Sequence, residues 1–457
     1  MPFRRFFERG AKRETPTVDN ESPADDAEAE ADAESIEENA EVVDDYDHGD
    51  VGAPEDAEEI DWRSRANAVL PTGASTGSKR VEALYGDAEA TGPTHYQHAS
   101  GCRVVDSGGR SYVDCTMALG AVALGYAEPE VQRAAMIAIA GGNVSALSDV
   151  REVDLAERLR EHILAAEMVQ FVKTGAEGVS AAIRIARTYT GRDMVLGCGY
   201  FGWHDWASDA AGVPEAVRSL YRTVPFDDRH ALGEAAHDVG DRLAAIVIEP
   251  VIERMPSNDW ITEARGLAET LGAVLIFDEM KTGFRVKTGG FQALSGVTPD
   301  LAIFGKAMAN GFPLAAVVGR RDVMEAARRT WISSTLAGES VGLAAAGAVL
   351  DAHESTDICA ALATTGAAMR ASIQSALEAS GIEGVSIEGL DQMWFLRFGD
   401  KRRETRFLEL AASHGVLFKR GAYNFPAMAH DEETISEIES AASAAFVELL
   451  EEEQGRA

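Results

Sequence analysis

Three short apolar runs between Ala244 and Gly319 each end on a polar residue that chemistry can use, and no other feature constrains the fold as tightly. Ala244–Ile248 leads into Glu249 and Pro250, Ala273–Phe277 into Asp278, and Leu301–Phe304 into Gly305 and Lys306. Apolar, largely β-branched runs of this length, bounded by Gly, Pro or Asp, predict strands buried on both faces. Between the first two, Thr262–Gly272 has the spacing of an amphipathic helix closed by glycine, which makes a β-α-β unit. Ligands in open parallel sheets sit at the carboxyl ends of the strands. The topology therefore predicts that Glu249, Asp278 and Lys306 reach one edge.

An acid at the end of one strand and a lysine just past the next suit pyridoxal phosphate. That cofactor needs a lysine to hold its aldehyde as a Schiff base and a carboxylate to keep its ring nitrogen protonated. The plain alternative is a surface lysine beside a helix-capping aspartate. Lys306 follows an apolar strand, however, a poor place for a solvated amine.

The stretch Leu275–Arg285, with Asp278, Glu279, Met280, Lys281 and Thr282 in succession, resembles the signature of class III pyridoxal-phosphate aminotransferases. So does Thr298–Gly319 around Lys306. The likeness extends over roughly residues 62–450 and is nearest to the branch that includes glutamate-1-semialdehyde aminomutase. It implies an α/β, type I pyridoxal-phosphate transferase fold. A large domain (119–345) would hold a mainly parallel seven-stranded sheet, and residues 61–118 and 346–457 would build a small α+β domain.

The resemblance also implies roles. Lys306 would carry the cofactor and then shuttle the proton, while Asp278 would face the ring nitrogen. Gly175 and Ala176, in the turn after Met168–Val172, would hold the phosphate; most relatives have Ser or Thr where Ala176 stands, which leaves main-chain contact. Tyr200 would stack on the ring, with Phe201 replacing the usual His. Glu249 would lie near the phenolic oxygen or the substrate. Thr335 would reach the phosphate of a neighbouring subunit, giving a homodimer with shared active sites.

The reaction implied is transfer from a small-molecule amino donor to a carbonyl acceptor. The aminomutase itself carries a Ser-Trp pair near position 117. Here that place reads Met117-Ala-Leu-Gly120, as in the aminotransferases of surface-polysaccharide and secondary-metabolite pathways, so the isomerase is kept as the alternative. A non-catalytic binding protein on the same fold is the alternative of another class. Independently of the resemblance, Lys79, Arg80 and Arg420 are candidates for a substrate carboxylate, since a guanidinium fork suits that group. Gly197–Gly202 is formally G-x-G-x-x-G, but residues 203–206 lack the helical period that a dinucleotide site requires.

A formal charge of −33 argues against nucleic-acid binding. The first 60 residues hold 21 acidic and 5 basic side chains and lack apolar periodicity, so residues 14 to 60 are expected to be disordered. The four cysteines, Cys102, Cys115, Cys198 and Cys359, show no metal or disulfide spacing and fit reduced thiols in a cytoplasm. No metal site is expected. No apolar run has the length of a membrane span, so no membrane partner is expected.

Overall fold

The computed structural model describes residues 60–455. The acidic segment up to residue 59 lies outside them. Three strands come first: β1 (Tyr96–Ser100), β2 (Arg103–Asp106) and β3 (Ser111–Asp114). β2 and β3 form an antiparallel hairpin about Ser107-Gly-Gly109. β4 (Met168–Val172), β5 (Met194–Cys198), β6 (Tyr221–Thr223), β7 (Leu243–Ile248), β8 (Val274–Asp278), β9 (Leu301–Phe304) and β10 (Ala315–Gly319) form one sheet. Its order is β4-β10-β9-β8-β7-β5-β6. β10 runs antiparallel to both neighbours and every other pair is parallel. The mainly parallel seven-stranded sheet is present.

Alternate side chains of these strands enter two different cores, which is why the runs are apolar at every position. Ala245, Val247, Ile276 and Ile303 pack with Val179, Ala182 and Ile183 of the helix Gly175–Thr190. Ile246, Ile248, Leu275 and Phe277 face the other way, towards Trp260, Ile261 and Ala264 of the helix Asn258–Leu271.

Helix starts differ from the sequence reading. The helix expected at Thr262 begins at Asn258, because Ser257 caps it by accepting the Trp260 N–H at 3.3 Å. The helix after β4 begins at Gly175, behind a capping box of Thr174 and Glu177. The helix Ser340–Ser355 is capped by the Glu339 carboxylate, which accepts the Val341 and Gly342 N–H groups.

Both chain ends meet in the smaller sheet, ordered β1-β2-β3-β13, where β13 (Val416–Leu417) pairs in parallel with β3. β11 (Val385–Leu390) and β12 (Met393–Phe398) form a separate antiparallel pair. The helices Ile358–Ser380 and Glu432–Gly455 pack together beside it.

Between β3 and the helix Pro129–Ala140 the chain makes one left-handed turn. Met117, Ala118, Leu119 and Gly120 have φ of 41°, 50°, 60° and 77°. Three of the four have a side chain that disfavours this region by ~1–2 kcal/mol each, so neighbours must hold it. Arg285, 1% exposed, does so. Its Nη2 donates to the carbonyls of Gly120 (3.2 Å) and Val122 (3.4 Å), and its Nη1 to those of Pro426 (2.9 Å) and Gln392 (3.4 Å).

Candidate active site

The strand register delivers the polar residues to one edge. Cys198 pairs with Ile248, Ile248 with Phe277, and Asp278 with Ile303. Glu249, Asp278 and Lys306 therefore emerge side by side, with Gly199 and Tyr200 leaving β5 next to Glu249. On the other side Val172 pairs with Ala315, and Ala316 with Phe304, so the turn after β4 opens at the same edge.

Close approaches tie these turns together. A Cβ on Gly175 or on Gly305 would lie 2.8 or 2.7 Å from the Met280 side chain, and one on Gly202 would lie 2.5 Å from the Ala176 Cβ. The helix start, the Lys306 turn and the loop after β5 thus share one packed corner. No helix follows Gly197–Gly202 directly; only a 3-10 turn, Asp205–Ala207, does.

Asp278 is 5% exposed. Its Oδ1 accepts the Met280 N–H at 3.1 Å, and its other oxygen has no hydrogen-bond partner among the described residues. Burial pushes its carboxyl up to about 7; the Glu249 charge adds to this, while Lys306 and Lys281 oppose it. Lys306 takes a left-handed φ of 50° and has no ion pair or hydrogen bond from its amine among the described residues. It sits deep among protein atoms yet keeps part of its side chain accessible, as a group at the floor of a cleft does. Burial pulls its ammonium below the ordinary lysine range, and Lys281 pulls the same way against Asp278 and Glu249.

A second lysine belongs to this cluster. Lys281 Nζ is 2.5 Å from Glu249 Oε1, with both side chains nearly buried, and 4.3 Å from the ring centre of Tyr423. Burial alone would lower it, but the Glu249 carboxylate and Tyr423 together outweigh that and hold it above its ordinary value. The other Glu249 oxygen accepts the Tyr200 N–H at 3.1 Å.

A family model for class-III aminotransferases matches residues 85–198 and 205–443. The chain belongs to the class-III aminotransferases. It is 34% identical over 396 residues to a 2'-deamino-2'-hydroxyneamine transaminase of Streptomyces kanamyceticus, covering 85% of this chain and 98% of that protein. A glutamate-1-semialdehyde 2,1-aminomutase of Pyrobaculum calidifontis is 32% identical over 427 residues, or 86% of this chain and 95% of its own. Among solved structures, the pyridoxal-phosphate form of the FumI protein of Sphingopyxis sp. MTA144 superposes with a TM-score of 0.82. It has 27% identity and covers 87% of this chain and 97% of its own.

As a class-III aminotransferase the protein is a pyridoxal-phosphate-dependent transaminase, and the residues at the edge fit that cofactor. A buried acid has one oxygen to spare. A sunken amine has no partner among the described residues. The Gly175 and Ala176 N–H groups, at the start of a 16-residue helix, donate to no described acceptor, which suits a phosphate.

The other anticipated residues are more scattered. The Tyr200 ring is 75% exposed. Thr335 lies exposed in a turn before the helix Ser340–Ser355. Lys79 and Arg80 are exposed around the short turn Gly77–Lys79. Arg420 is turned to Glu404, Nε to Oε2 at 3.7 Å.

Sequence reading left Lys281, Arg285 and Tyr423 without roles. Lys281 had a signal: it is one of only 8 lysines in the chain and stands three residues past Asp278. Arg285 and Tyr423 had none, because their partners are far away in sequence.

Proposed function

We propose that this transaminase passes an amino group from an amino-acid donor to an aldehyde or ketone acceptor of a polysaccharide or secondary-metabolite pathway, with Lys306 as the lysine that carries the cofactor. One observation carries the assignment: a buried acid and a sunken, partnerless amine at adjacent strand ends. Pyridoxal phosphate supplies an aldehyde to take up the amino group and a ring to accept the electron pair left on carbon.

The chain's own residues do the rest. Asp278, ionised, keeps a proton on the ring nitrogen. Lys306 would hold the cofactor's aldehyde and, as a free amine, would take the proton from the carbon bearing the donor's amino group. It must be neutral to do so, and burial with Lys281 nearby favours the neutral amine. The Gly175 and Ala176 N–H groups would anchor the phosphate, and Glu249 fixes the main chain at Tyr200, whose ring would lie against the cofactor.

Thr335 reaches a partner subunit's phosphate in a homodimer. Large exposed apolar side chains support this: Leu147, Val150 and Val153 on one stretch, Trp331 and Leu336 on the other. Residues 61–118 and 346–457 form the small domain, a reading supported by the β3–β13 pairing. Four buried free thiols favour a reducing compartment, the cytoplasm. Among the described residues no helix is long and apolar enough to cross a membrane.

Two measurements test the reading. Lys306→Ala should abolish both turnover and the visible absorbance of covalently held cofactor; a mutant with normal activity removes the mechanism. Wild-type protein should need a separate amino donor. Turnover of glutamate-1-semialdehyde alone, with no donor, would instead establish the aminomutase reading that the Pyrobaculum relative supports.

A further inference from the structure

We propose that Lys281 is a positioning residue for this reaction: clamped on Glu249, it anchors the main chain at Tyr200 and offsets part of the charge that Glu249 sets beside Asp278 and Lys306. The inference rests on the reading that Lys306 carries the cofactor.

The contacts run in a chain. The Tyr423 ring, from the C-terminal part of the chain, lies under the Lys281 ammonium at 4.3 Å. The Tyr423 hydroxyl accepts the Glu253 N–H at 2.7 Å, which fixes that ring against the loop after β7. Lys281 binds Glu249 Oε1 at 2.5 Å, and Glu249 Oε2 receives the Tyr200 N–H at 3.1 Å. Gly199 completes the fit. It has φ of +139°, and a Cβ there would lie 2.4 Å from the Glu249 Cβ. Four segments remote in sequence thus converge on one ion pair.

Two carboxylates and two ammonium groups face one another at this edge: Asp278, Glu249, Lys281 and Lys306. The buried Arg285 adds a more distant positive charge. A lone Glu249 would make Asp278 harder to ionise and Lys306 harder to deprotonate, the reverse of what transamination needs of either. Lys281 opposes Glu249 at both groups while leaving Asp278 free of any direct ion pair among the described residues.

The test is a pH titration of the visible absorbance of the cofactor-bound protein, which reports protonation at the nitrogen that holds the cofactor. Lys281→Met removes a positive charge and exposes a negative one, so the midpoint should rise by about one pH unit or more. Glu249→Gln should lower it by a similar amount, and the double variant should return close to wild type. Lys281→Arg, which keeps the charge, should titrate nearly as wild type. A purely structural role predicts no such opposite movement.

If Lys281→Met fails to retain cofactor, the double variant decides. Restored binding with a near-wild-type midpoint supports the inference, and continued loss overturns it. Borohydride reduction followed by peptide mapping identifies the lysine in every sample. Cofactor on Lys306 with midpoints unmoved, or moved in the same direction, overturns the role of Lys281 and leaves the proposed function standing. Cofactor fixed to Lys281 overturns the proposed function itself.

Discussion

Asp278→Asn should stabilise the cofactor-free protein at alkaline pH while crippling the enzyme. The buried Asp278 carboxyl is raised from 3.8 to about 7, first by burial and then by Glu249. A carboxyl whose folded pKa exceeds its unfolded value binds extra protons in the native state between the two. Stability is therefore lost as pH climbs through that window. Moving from about pH 5 to about pH 8 crosses about two pKa units, worth ~2.7 kcal/mol at most. Asparagine cannot titrate and escapes this loss. It also removes the charge that favours the Lys306 ammonium, so Lys306 deprotonates at lower pH in the variant, which acts in the same direction.

The assay is urea unfolding of cofactor-free wild type and variant at both pH values. The variant should gain on wild type by roughly 1.5–2.7 kcal/mol as pH rises. Parallel pH profiles would refute the claim that Asp278 is held against its preferred protonation state. With cofactor supplied, the same variant should keep it bound yet turn over about 10²–10⁴-fold more slowly; an unchanged rate would reject the assignment of Asp278 to the ring nitrogen.

Other substitutions probe the supports of the site. Arg285→Met leaves four main-chain carbonyls without their donor and should cost about 3 kcal/mol or more in urea unfolding; a loss below about 1 kcal/mol would show that those bonds are replaced without cost. Gly199→Ala forces a side chain onto a φ of +139° and into Glu249, so the Kd for pyridoxal phosphate should rise by about tenfold. An unchanged Kd in an absorbance titration would mean that the loop yields freely.

The strands that carry the chemistry were legible because burial on both faces leaves an unbroken apolar run, and each run stops where a polar residue must turn outward. Asp278 and Lys306 could be read for that reason. Helix starts were less legible. Ser257 and Thr174 act through a single side-chain oxygen, and the apolar spacing alone places the Asn258 and Gly175 helices several residues late. The left-handed turn at Met117–Gly120 was invisible, since three of its residues have no local preference for that conformation and partners remote in sequence, Arg285 among them, hold it. The Lys281–Glu249 pair was legible as residues but not as a contact, because it joins the ends of two adjacent strands.

Arg285 also sets an order of events during synthesis. Two of the carbonyls that receive its guanidinium, those of Gln392 and Pro426, lie 107 and 141 residues downstream. Until those residues are made, only the upstream carbonyls of Gly120 and Val122 are there to receive the guanidinium. Until then the turn at Met117–Gly120 lacks its full clamp, and a nascent chain already bearing Lys306 and Asp278 has no finished cleft around them.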